Sequence, residues 1–159
     1  MKRKAIDLSQ EPRGAVYRRL LDHARSGCEY ALLVVREEDW PPGGSSATAI
    51  EALSPFLVSS EKRSEWPGTV LIAGTATVFN YKLTDDSVGV LKREAEGLYD
   101  WSAPELPEDL CLLRADLSPW LVSIAHERDG YLQLSDDELV ELLRSAPDLG
   151  DLIERVPIS

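Results

Sequence analysis

The sequence predicts an α+β fold: a mostly antiparallel sheet of five to six strands packed by about four helices, in the order α-β-α-ββ-α-βββ-α. Three observations carry this reading. Short runs rich in Val, Leu, Thr and aromatic residues are bounded by polar turns, which is the pattern of strands. Several of these runs follow one another across turns too short for a crossover, so they must pair antiparallel. Between them lie stretches whose apolar residues recur at helical spacing. At 159 residues the chain is expected to form a single domain, 1–159, with residues 1–8 as a flexible basic tail.

The elements follow in order. A helix starts near Pro12, since proline is tolerated in a first helical turn. Val16, Tyr17, Leu20, Leu21 and Ala24 form its apolar face, and Gly27 sits where a C-terminal cap is expected. Glu29 to Arg36 reads as a strand apolar on both faces, hence central. The acidic, Pro/Gly-rich loop EEDWPPGGSS follows, with Trp40 either folded onto the core or standing exposed. A short helix capped by Ser45 or Ser46 runs through Leu53 with Ala47, Ile50 and Ala52 inward. Phe56 to Val58 continue as a buried segment, and EKRSEWPGT, containing Trp66, reads as a surface connection.

Val70 to Ala73 and Thr75 to Lys82 read as two strands, or one strand bent at Gly74. Thr84 caps a helix whose first turn carries Asp85 and Asp86, where the helix dipole favours negative charge. Leu110 to Arg114, Trp120 to His126 and Tyr131 to Leu134 form a meander through the turns ADLSP and ERDG. Ser135 with Glu138 is a capping box, opening a helix that turns Leu139, Leu142 and Leu143 inward.

The charge is uneven. Residues 1–36 hold eight basic and four acidic residues, a net +4 within a chain total of −11, so the remainder carries −15. The simplest arrangement pairs the basic start with the acidic body inside one molecule. The overall sign disfavours nucleic acid, whose phosphates the average surface repels, and favours a basic protein partner. No stretch is apolar enough for a membrane span, and MKRKAIDLSQEPRG lacks the apolar core of a signal peptide. Cys28 and Cys111 sit in or beside apolar runs without zinc or redox spacing, so a cytoplasmic protein with two buried thiols is expected.

Few residues point to chemistry. His126 closes a strand beside Glu127, Arg128 and Asp129, and an imidazole can exchange a proton near neutral pH. Adjacent strand residues point to opposite faces, however, which makes Glu127 a poor partner. A Cys111–His126 nucleophile and base would need a particular hairpin register, and Cys111 lies between leucines as an inert thiol would. His23 and His126 alone do not make a metal site; acidic residues would have to complete one. Phosphate-loop, dinucleotide-binding, nucleophile-elbow and zinc-helix motifs are missing. No cofactor and no metal are therefore expected.

The carboxylates that open helices are explained by the helix dipole. Glu37, Glu38 and Asp39 beside Trp40, and Glu108 with Asp109 ahead of a strand, are better placed to meet a basic partner, with charge steering the encounter and the ring anchoring it. The expectation is an acidic, non-catalytic protein-binding domain, of the bacterial immunity or antitoxin kind, that masks a basic effector. One alternative is a small enzyme or ligand-binding domain with a pocket at His126, near Glu127, Asp129 or Arg114. The other is a homo-oligomer built through a strand edge or through the basic first helix of one copy on the acidic body of another.

Overall fold

The computed structural model describes residues 2–154. Among these, the strands are β1 (Lys4–Asp7), β2 (Tyr30–Arg36), β3 (Leu57–Arg63), β4 (Glu65–Trp66), β5 (Thr69–Val70), β6 (Ala76–Lys82), β7 (Glu108–Leu113), β8 (Pro119–Ile124) and β9 (Asp129–Leu134). The α-helices are α1 (Ala15–Gly27), α2 (Gly44–Leu53), α3 (Asp85–Glu94) and α4 (Asp136–Ser145). Seven strands form one antiparallel sheet in the order β1-β9-β8-β7-β2-β6-β3, and β4 pairs with β5 as a separate hairpin. The α+β class and antiparallel sheet expected from the sequence are present, with more strands than the five to six foreseen.

All four α-helices contribute to the larger core, on one face of the sheet. Tyr17, Leu20 and Leu21 of α1, Ala49 and Leu53 of α2, Val88 and Leu91 of α3, and Leu139 and Leu142 of α4 pack there with Leu33, Phe79, Leu110, Leu112, Leu121 and Leu132. The opposite face holds a smaller core of Leu32, Val34, Ala76, Val78, Cys111, Leu113 and Val122, covered by Trp66. Trp66 arrives there on the excursion between β3 and β6. Gly68 lets that excursion lie flat: its φ is +88°, and a Cβ at this position would stand 2.8 Å from a Val122 methyl.

Helix α2 begins at Gly44 with Gly43 as its N-cap, so neither Ser45 nor Ser46 caps it; four further stretches depart from the sequence reading. Lys4–Asp7, read as part of a flexible tail, is an edge strand paired with β9, because Ile6 and Leu8 alternate inward and are buried. Leu57 and Val58, expected to be buried, are 46% and 55% exposed on the outer strand β3. Trp66 lies on the second core rather than on a surface connection. Val70 to Ala73 does not extend the sheet: β5 stops at Val70, leaving Ile72 fully exposed. An apolar tetrapeptide fits a strand and an exposed loop tip equally well by composition, and only the partner strand decides.

The meander and its helix match the reading more closely. Ser135 Oγ accepts from the Glu138 backbone N–H at 3.2 Å, and the Glu138 carboxylate accepts from Ser135 N–H at 2.9 Å, completing the capping box. β8 ends at Ile124, however, and Ala125–Glu127 forms a 3-10 turn, which takes His126 off the strand.

The ladder register gathers one set of loops at one end of the sheet. Arg36, at the end of β2, pairs with Ala76, which also pairs with Arg63 at the end of β3. Glu108 opens β7 opposite Val34, and Ile124 ends β8 opposite Asp129. The loop 37–43, the excursion 64–75, the start of β7 and the turn 125–128 therefore share this end.

Candidate functional site

The site is built on a bulge in β7. Leu32 pairs with Cys111 and Val34 with Glu108, so two residues, Asp109 and Leu110, stand opposite Leu33. Asp109 takes the left-handed conformation, with φ of 60°. In a regular strand Glu108 and Asp109 would face opposite sides; the extra residue turns both carboxylates to the face that carries Trp66.

Both are buried, Asp109 completely. Asp109 accepts from Trp66 Nε1 at 3.1 Å and from the Ala125 backbone N–H at 2.9 Å. It thereby holds the β4–β5 excursion and the turn bearing His126 against the sheet. Glu108 accepts from Arg36 Nε at 2.7 Å, and the Arg36 guanidinium lies 5.5 Å from the centre of the Trp66 ring. Burial, reinforced by the neighbouring Asp109 charge and opposed by Arg36, raises the Glu108 carboxyl above the ordinary range.

His126 completes the cluster. A ring nitrogen of His126 and carboxylate oxygens of Glu108 and Asp109 all lie within 4.8 Å of one another. Half of its side chain is exposed, and its Nε2 lies 3.9 Å from Glu127 Oε1. The ring opens onto a groove of about 460 Å³ lined by Arg36, Gly68 to Ala73, Ile124 and Glu127. A buried acid pair, a guanidinium and a solvent-reachable imidazole can hold a cation or a polar ligand, and perturbed groups beside a cleft are where such function concentrates.

The sequence-assigned residues divide into two groups. Glu37, Glu38 and Trp40 are exposed and Asp39 is half-buried. Glu37 also ties this loop to the excursion: its carboxylate accepts from the Thr75 backbone N–H at 3.1 Å and from the Thr75 hydroxyl. Trp40 does both things foreseen for it. One ring face stacks on Phe79 at 6.4 Å between centroids, while 53% of the residue stays exposed. Glu108 and Asp109 are corrected: both are too buried to meet a protein partner, because the bulge turns them inward.

Arg114 is corrected as well. It lies at the opposite end of the sheet, donating to Pro119 O and Gln133 O at 2.7 Å each and pairing with Glu138 at 2.8 Å. Cys111 is fully buried, its thiol pushed up to about 12 by burial, so it serves as packing and not as a partner for His126. His23 stays on α1, its Nδ1 3.0 Å from Ser145 Oγ. Arg36 and the 68–73 segment were not legible as site residues; an arginine ending an apolar strand was the only available signal.

No protein-family model, curated protein or solved structure matches this chain.

Proposed function

We propose that this chain is an acidic, non-catalytic protein-binding domain, cytoplasmic and of the bacterial immunity or antitoxin kind, which masks a basic effector. The observation that carries the reading is the composition of one sheet end. Trp40, Val70 and Ile72 stand exposed there beside the exposed carboxylates of Glu38, Glu65 and Glu127. Apolar anchors among anionic groups suit a basic surface: the charge steers the encounter and the side chains seal the contact.

The charge map supports the same reading. Six of the eight basic residues of the first 36 form ion pairs within the chain. Arg3 pairs with Glu138, Lys4 with Asp136, Arg13 with Glu11 and Asp100, Arg19 with Asp148, Arg25 with Asp85 and Arg36 with Glu108. The chain's net charge of −11 keeps its average surface negative. Among the described residues no helix is long and apolar enough to cross a membrane.

The test is equilibrium binding to a panel of purified basic toxin domains at low and moderate salt, with poly-lysine as a charge-only control. The expected result is a salt-sensitive partner whose affinity falls at least about tenfold in the double variant Trp40→Ala, Ile72→Ser, as loss of an anchor pair predicts, while poly-lysine binding is unchanged. Equal affinity of wild type and double variant for every panel member would refute the proposed surface.

A second reading is favoured by the groove at His126, which Arg36 and Glu127 also line. In it, the chain binds a small polar ligand there. His126→Ala separates the two readings, because it removes the groove's imidazole and leaves Trp40 untouched.

A further inference from the structure

We propose that Glu108, Asp109 and His126 form a binding site for a divalent transition-metal ion of the zinc and cobalt class. Its three ligands are distinct from the docking anchors Trp40, Val70 and Ile72, although they lie at the same end of the sheet.

The donor set comes from two elements, β7 and the turn that follows β8. Two carboxylates and an imidazole, all within 4.8 Å of one another, supply three ligands of mixed oxygen and nitrogen character. Three protein ligands are the number that catalytic zinc sites use, the remaining position facing solvent or substrate. Around an ion with metal–ligand bonds near 2.1 Å, tetrahedral donors stand ~3.4 Å apart. His126 must close the difference. It is the least constrained member: its side chain is half exposed and makes no hydrogen bond among the described residues, with Glu127 Oε1 3.9 Å away.

The carboxylates are preorganised. Asp109 is fixed by Trp66 Nε1 and Ala125 N–H, and Glu108 by Arg36. Such supporting bonds are what hold metal ligands in place. Each carboxylate oxygen can accept a second interaction, so these bonds do not exhaust the donors. The local charge also asks for a cation. Two buried carboxylates face one guanidinium, which leaves one negative charge without a counterion in a desolvated position. An imidazole selects a transition ion over Mg²⁺ or Ca²⁺, which prefer all-oxygen shells of six or more ligands. The open side of the site faces the groove beside Ile72, where water or a small anion could complete the coordination.

The test is titration of the full chain with Co²⁺, read by visible ligand-field absorption and by calorimetry, with Mg²⁺ in parallel. The expected result is one saturable Co²⁺ equivalent per chain, displaced by Zn²⁺, with binding weakened at least about tenfold by His126→Ala and by Glu108→Gln. His23→Ala, on α1, leaves binding unchanged. Since Glu108 is buried, its variant is first checked for folding by circular dichroism; exposed His126 carries the test if that variant does not fold. Absence of a saturable equivalent, indifference of the affinity to His126→Ala, or tighter binding of Mg²⁺ than of Co²⁺ would overturn the proposal.

Discussion

Tyr17 shows how single residues hold this molecule together. Its hydroxyl donates to Leu91 O at 2.7 Å and accepts from Trp101 Nε1 at 2.9 Å, inside the larger core. Tyr17→Phe strands a buried carbonyl and a buried indole N–H. The expected loss is about 1–3 kcal/mol, measured as a shift in the urea midpoint without a change in slope. The sequence placed Tyr17 on the inner face of α1 but could not show its partners, which lie 74 and 84 positions away. Glu108 and Asp109 mark the same limit more sharply. An acidic dipeptide reads as exposed because isolated carboxylates stay in water. What buries this one is a bulge and a left-handed residue, and neither has a signature in the amino acids themselves.

At the scale of elements, α4 is pinned by its first turn. Glu138 closes the capping box with Ser135 and reaches Arg114, which also binds the ends of β8 and β9. Ser135→Ala is expected to cost about 1 kcal/mol, read from thermal or urea unfolding. Burial opposes ionisation of Glu138, but Ser135 N–H, Arg114 and Arg3 outweigh it and hold the carboxyl below its usual value. A depressed native value stabilises the fold above the ordinary carboxylate range, and the contribution disappears as pH falls through the native value. The stability gap between wild type and Glu138→Gln should therefore be open near neutral pH and close on acidification below about pH 4. This box was legible because its residue types and spacing act locally. Strand β1 was not, since four residues at an edge carry little pattern. Removing residues 1–8 uncovers the Tyr131–Leu134 edge and deletes buried Ile6 and Leu8. It should lower the unfolding midpoint clearly, where loss of a free tail would leave it unchanged.

For the molecule as a whole, the antiparallel sheet was readable because short turns constrain neighbouring strands, and the meander β7-β8-β9 follows that logic directly. The position of β2 between β6 and β7 was not readable, because long-range pairing depends on which apolar faces meet. The charge contrast between the first 36 residues and the rest was readable, and the ion pairs give it a structural meaning: it is consumed largely inside the fold. The outer strand β3 carries Glu61, Lys62 and Arg63, the kind of charge with which edge strands resist further pairing. Light scattering at low and high salt is thus expected to find a monomer at both.

We propose that the sheet end bearing Trp40 and Ile72 docks a basic protein. Amide hydrogen exchange of the chain with and without a salt-sensitive basic partner tests it most directly. Protection is predicted in the loop 37–43 and the excursion 64–75, with no change at the Arg114–Pro119 turn of the opposite end. Protection confined to that opposite end, or to α1 and α4, would rule out docking at this surface.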